Sequence, residues 1–195
     1  MLHAPSCSRI FNIVGIDPGT NKLGYAVLKV SLPDLTIVES DAFTLKGEKL
    51  MSPDTWLAEV YTDRMVRLDA LHFKLVRLFQ RDVPIAVAGE EPHFNRKFPN
   101  AFGPLVETMA MIRQAVIRFD RWVVFRTFDA MSIKRAVGVE GKIPKGKAKA
   151  VVRDQVLAQP EFRYNGAIPI EELDEHSIDA LAIAYTLLLA MRNGR

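Results

Sequence analysis

The chain has 195 residues, of which 49% are hydrophobic and 25% charged, the make-up of one ordinary globular domain long enough to bury a core. Its net charge of +3 excludes a uniformly polycationic or polyanionic protein, and its single cysteine, Cys7, excludes a disulfide framework and a cysteine-based zinc site. No stretch approaches the ~18 apolar residues of a membrane span and the opening lacks the apolar core of a secretion signal, so the expectation is one soluble, cytoplasmic domain over 1–195 with 1–9 as a loose tail.

Residues 11–16 are apolar, Pro18-Gly19 is a turn signal and residues 24–30 return as a second strand, which makes a hairpin with Asp17 at its edge. Residues 35–43 form a third strand candidate, followed by a polar loop over 46–49, and three consecutive strands imply an antiparallel meander. From Pro53 the period changes: Trp56, Leu57, Val60, Tyr61, Met65, Leu68, Leu71, Phe73, Leu75, Leu78 and Phe79 fall mostly at helical spacing, with Ser52 as a cap. Pro84 then admits the short run 85–89, a central strand because its apolar residues do not alternate with polar ones, and Glu90 closes it.

A loop rich in aromatics and bases, His93 to Phe98, leads into a helix over 100–119, a short strand over 122–125 and a weaker helix over 130–137. Residues 138–146, with Gly138, Gly141, Pro144 and Gly146, read as a basic loop before helices over 147–157 and 174–191. Between Arg121 and Arg153, Lys or Arg recurs nine times against Asp129 and Glu140 alone, a local surface suited to a polyanion and equally to plain solvation. The order of elements implies α/β architecture: a five-stranded mixed sheet flanked by helices on both faces.

Three remote segments offer chemistry. Asp17 and Glu90 each end a strand-like run, and His176 and Asp179 stand three residues apart, so they share one face of a helix otherwise built to be buried. Each has a plain alternative: Asp17 shaping a turn, Glu90 and Glu91 as strand-end charges, His176 as a packed helix residue. Taken together they make a carboxylate cluster, which is unfavourable unless a cation sits among its members. Magnesium prefers such oxygen ligands, and the imidazole of His176 makes manganese a natural substitute.

With these residues in place the chain resembles the RuvC family of Holliday junction resolvases. Gly15-Ile-Asp-Pro-Gly-Thr-Asn-Lys-Leu-Gly-Tyr-Ala-Val27 is similar to the family's first strand and hairpin, and His176-Ser-Ile-Asp179-Ala-Leu-Ala-Ile-Ala to its closing helix. The resemblance implies an RNase H-like fold, a homodimer, two magnesium ions per site with manganese able to substitute, and paired nicks across four-way DNA. It makes Asp17, Glu90, His176 and Asp179 the catalytic and metal-binding set, with Glu91 the alternative second acid. Ser132-Ile-Lys-Arg-Ala-Val-Gly138 and Lys147-Ala-Lys-Ala-Val-Val152 resemble the segment supplying bases near the scissile phosphate. Lys149 is expected there as a catalytic residue and Lys134 beside it, with Lys147 possible and Lys142 and Lys145 holding DNA. Phe94, Arg96 and Lys97 are expected to bind the crossover, the aromatic by stacking and the cations on phosphates.

The resemblance also implies a location in the cytoplasm of a bacterial cell or a phage-infected host. A dimer contact is expected on the helix bearing Phe102, Leu105, Met109, Ile112, Val116 and Ile117, whose alternative is core packing. Competing expectations are an RNase H-like nuclease acting on flaps, other branched DNA or RNA; an actin-like phosphotransferase, for which a second lobe is lacking; and a non-catalytic junction-binding module.

Overall fold

The computed structural model describes residues 9–51, 59–94, 96, 99–139, 141 and 147–194. The expectations for residues 1–8, Cys7, Ser52 to Leu57, Lys97, Phe98, Lys142 and Lys145 lie outside them.

Strands β1 (Ile10–Asp17), β2 (Lys22–Ser31) and β3 (Thr36–Lys46) form the expected antiparallel meander. β4 (Pro84–Glu90) pairs parallel with β1, and β5 (Val124–Phe128) pairs parallel with β4, giving the mixed order β3-β2-β1-β4-β5. Helices α1 (Gly47–Leu50), α2 (Asp63–Asp82), α3 (Phe102–Phe119), α4 (Ala130–Ala136), α5 (Ala148–Ala158) and α6 (Glu175–Arg192) complete the described elements. None of the described helices is long and apolar enough to cross a membrane.

Alternation along the strands sorts side chains into two cores. Val14, Ile16, Tyr25 and Val87 pack with Leu71, Leu75, Phe79 and Ile112 of α2 and α3. Ile13, Ala26, Leu28, Ala86 and Ala88 pack with α4, α5 and the buried α6. Because the side-chain period of a strand is two, residues 13, 15 and 17 share the α6 face with 86, 88 and 90. Parity thus puts Asp17 and Glu90 on the same face at the same end of two adjacent strands.

The structure corrects several boundaries. β3 continues past residue 43, since Thr44 and Leu45 keep pairing with Gly24 and Leu23, and the expected loop over 46–49 contains the short α1. α2 begins at Asp63, after Tyr61 and Thr62 interrupt the chain, so Val60 and Tyr61 stay exposed instead of extending the core. The fifth strand starts at Val124 rather than 122: Trp122 is 83% exposed in a turn, its N–H donating to Asp120 Oδ1 at 2.9 Å. Polar Arg126 and Thr127 continue the strand because it is an edge strand, where alternation is weakest as a signal. Arg9, placed in the tail by sequence, is tied to the sheet by its carbonyl, which accepts from Leu32 N–H at 2.9 Å.

Candidate active site

The position of α6 over the strands is set by missing side chains. A Cβ on Gly15 would land on the backbone of Ala180 and Ala184, and one on Gly24 on the carbonyl of His176. These absences let the first turn of α6 descend onto β1 and β2, which brings His176 to Asp17. The helix start is fixed by Asp174, whose Oδ1 accepts from Ser177 N–H at 3.0 Å, Ser177 Oγ at 2.9 Å and Thr44 Oγ1 at 2.5 Å. Burial opposes ionisation of Asp174, but the bonds from Thr44 and Ser177 outweigh it and hold its pKa below the ordinary value. Sequence reasoning missed Asp174 as this anchor, although an Asp three residues ahead of a Ser at a helix start is a legible cap.

At the carboxyl ends of β1 and β4 the four expected residues come together. His176 Nδ1 lies 2.7 Å from Asp17 Oδ2, and its other nitrogen is 3.6 Å from Glu175 Oε1. The hydrogen bond to Asp17 raises the His176 pKa despite the opposing effect of burial. Burial, and then the charge of Asp17, raise Glu90 above the usual carboxylate value. The same two causes, in the same order, push Asp179 up to about 7, with Glu90 adding to the repulsion.

Glu90 and Asp179 line a cleft of about 310 Å³ with His93, Ala130, Ile133, Lys134, Lys149, Val152 and Ile183. His93 Nδ1 is 4.0 Å from Glu90 Oε1, a neighbour that sequence reasoning did not assign to the acids. Glu91 is exposed and is not among the residues lining the cleft, so of the two adjacent glutamates Glu90 is the one turned toward Asp179. Lys149 Nζ is paired with Glu175 Oε2 at 2.6 Å, and that lysine holds Glu175 below its ordinary pKa. Lys147 is exposed just before α5 and outside this lining, while Phe94 is 59% exposed and meets Phe102 edge-on, ring centres 5.9 Å apart. Arg96 is exposed in the same loop. Half of the expected dimer face is core: Met109, Ile112 and Val116 are buried against the sheet, whereas Phe102 and Leu105 are half-buried and Ile117 is exposed.

The donor set suits a hard divalent cation, since crowded, half-buried carboxylates with raised pKa values gain from a positive charge between them. Among the described residues no three His, Cys, Asp or Glu side chains are gathered closely enough to hold an ion as they stand. One Asp17 oxygen is instead engaged by His176.

The strand order and the two-sided helical cover make the α/β mixed sheet that the element order implied, and the fold is RNase H-like, as the resemblance implied. Solved structures similar to it include Thermus thermophilus RuvC, at 24% identity and a TM-score of 0.62 over 94% of this chain and 97% of that one. T. thermophilus RuvC in complex with a Holliday junction substrate matches at 23% identity and TM-score 0.59, covering 94% and 96% of the two chains. The yeast mitochondrial Holliday junction resolvase matches at 13% identity and TM-score 0.55, covering 93% and 82%. No protein-family model and no curated protein matches the sequence. At these identities the likeness establishes the fold, which is that of the RuvC resolvases.

Proposed function

We propose that the protein is a metal-dependent endonuclease that resolves four-way DNA junctions by paired, symmetric nicks. The observation that carries this reading is that Asp17, Glu90 and Asp179, from three remote segments, lie near enough for the charge of Asp17 to raise the pKa of both others, with His176 bonded to Asp17 and with Glu90 and Asp179 on a cleft that Lys134 and Lys149 also line. The RuvC fold supplies the context in which such a cluster cuts DNA, and one of the similar proteins was solved with a Holliday junction.

Asp17, Glu90, Asp179 and His176 would hold magnesium, two ions per site, with manganese substituting. Bound there, divalent ions would supply the charge that activates water and stabilises the leaving oxygen of an in-line phosphoryl displacement. The chain's own residues then have separate tasks. Lys134 and Lys149 draw the phosphate into the cleft, and Lys149 exchanges Glu175 for a phosphate oxygen as DNA arrives. As a ligand His176 must be neutral, with one ring nitrogen free for the cation, while the other can keep its bond to Asp17. Phe94 and Arg96, exposed beyond Glu90, are placed to stack on an unpaired base and hold a backbone phosphate.

Two cuts on a twofold-symmetric junction require two sites, so the active species is a homodimer. The exposed residues Met65 and Phe73 of α2 with Tyr61 just before it, beside an open groove of about 520 Å³, are the apolar face offered to the second copy in place of the buried Met109, Ile112 and Val116. Light scattering should give a dimer, and Phe73→Glu a monomer that still folds; a monomeric parent overturns the pairing.

The deciding test is incubation with a synthetic mobile four-way junction, a flap and an RNA–DNA hybrid, with and without magnesium or manganese, resolving strand lengths. Symmetric nicks in the junction alone are expected, lost in Asp17→Asn and Glu90→Gln while junction binding persists, and retained in Glu91→Gln. Near-normal cutting by Asp17→Asn overturns the nuclease reading; preferential cutting of the flap or hybrid overturns the substrate.

A further inference from the structure

His176 lines a second depression, separate from the lysine-walled cleft. Gly19, Thr20, Asn21, Lys22, Ala101, Pro104, Leu105 and His176 line an open depression of about 440 Å³, within the ~300–1,000 Å³ typical of small-molecule sites and so roomy enough for a nucleotide. None of its residues except His176 belongs to the metal-binding set, and none lines the lysine-walled cleft. The acid set thus has Glu90 and Asp179 on one depression and His176 on the other, and the bond from His176 to Asp17 joins the two. A DNA strand with one phosphate at the acids has this second depression within reach of a neighbouring nucleotide.

Its walls differ in kind. One is the polar turn Thr20-Asn21-Lys22 between β1 and β2; the other is the apolar start of α3, Ala101, Pro104 and Leu105. The turn is a rigid platform: the Gly47 N–H donates to the Asn21 carbonyl at 2.8 Å, and a Cβ on Gly19 would collide with the Lys22 carbonyl. Asn21 and Lys22 are both exposed. An apolar wall sharing one depression with a carboxamide, a hydroxyl and an ammonium suits one nucleotide: base face against Pro104 and Leu105, base edge to Asn21 and Thr20, phosphate to Lys22.

We infer that this depression binds the nucleotide adjoining the scissile phosphate, and that Asn21 sets the base preferred there. The inference rests on the nuclease reading and adds the residues that choose where a mobile junction is cut. An asparagine amide can bond two atoms of an adenine edge at once, so adenine is the expected preference.

The test uses the full chain and mobile four-way junctions randomised around the crossover, with nick positions sequenced for the parent, Asn21→Ala and Lys22→Ala. The parent should favour one base beside the nick by about tenfold or more, and Asn21→Ala should flatten that preference at that position alone. Lys22→Ala should weaken binding measured without divalent ions and lower the log–log salt slope by roughly 0.7–0.9, with Lys22→Arg restoring both. Unchanged melting temperatures separate these effects from misfolding. A parent that cuts junctions while Asn21→Ala keeps its base preference and Lys22→Ala keeps its salt slope overturns the subsite alone. A parent that neither binds nor cuts overturns the nuclease reading, and the subsite with it.

Discussion

Asp179 carries a stability cost that can be measured without any catalysis. Burial, then Asp17, raise its pKa from 3.8 to about 7, so between those values the folded chain keeps a proton that the unfolded chain releases. Stability therefore falls as pH rises through that window, and the full cost is present above about pH 7. At ~1.4 kcal/mol per pH unit the ceiling is ~4 kcal/mol at about pH 8 and ~2 kcal/mol near pH 5.5. Partial exposure screens the charge, which brings the expected values to ~2 and ~1 kcal/mol. Asp179→Asn keeps the shape and removes the charge, so in chelator it should melt ~4–8 °C above the parent at about pH 8 and show roughly half that gain near pH 5.5. Magnesium should raise the parent's melting temperature at the higher pH and leave the variant's unchanged. Scanning calorimetry or denaturant melts at both pH values decide it. A variant no more stable than the parent at about pH 8, or a gain independent of pH, would refute the assignment of Asp179 to a crowded acid cluster.

Three further outcomes follow from the same geometry. The bond to Asp17 raises the His176 pKa above 6.5, so protonation competes with cation binding and the acidic limb of cutting should lie above pH 6.5; His176→Asp should move it lower and His176→Ala should cut poorly. A pH–rate series in magnesium and in manganese checks this, and full activity of the alanine variant would make His176 a packed helix residue. Lys149→Ala should slow single-turnover cutting on the order of 100-fold while changing junction affinity far less, and an equal loss in both would make Lys149 a binding residue only. Gly24→Ala forces a Cβ onto the His176 carbonyl, which should cost ~1–3 kcal/mol in denaturant melts and depress cutting more than junction binding; a neutral substitution would mean that α6 is not held by this approach.

The acids were legible because their positions follow from local periodicity. Each strand-end carboxylate closes an apolar run, and in strands of period two an Asp at 17 and a Glu at 90 need only the parallel pairing of β1 with β4 to share a face. The small residues after Asp179 signalled a buried helix, and the structure supplies their reason in the approach of Ala180 and Ala184 to Gly15. The clamp from Thr44 to Asp174 spans 130 positions, and no local pattern encodes a hydrogen bond of that separation. The pairing of Lys149 with Glu175 depends likewise on how α5 leans toward the start of α6, which spacing within either helix does not determine.

The α3 residues show the sharper limit of pattern. Spacing at three and four residues identified an apolar face on 102–119, but a helix's own sequence carries no sign of whether that face meets its own sheet or another copy. Burial decides: Met109, Ile112 and Val116 close the core against Val14, Ile16 and Val87. The apolar surface left uncovered then includes Val106 and Ile117 on α3 and, on α2, Met65 and Phe73, which stay exposed although Leu68, Leu71 and Leu75 of the same helix are buried. A helix with apolar residues beyond its buried stripe has more hydrophobic surface than its own domain can cover. On a protein proposed to make two symmetric cuts, that surplus is where a second active site would be attached.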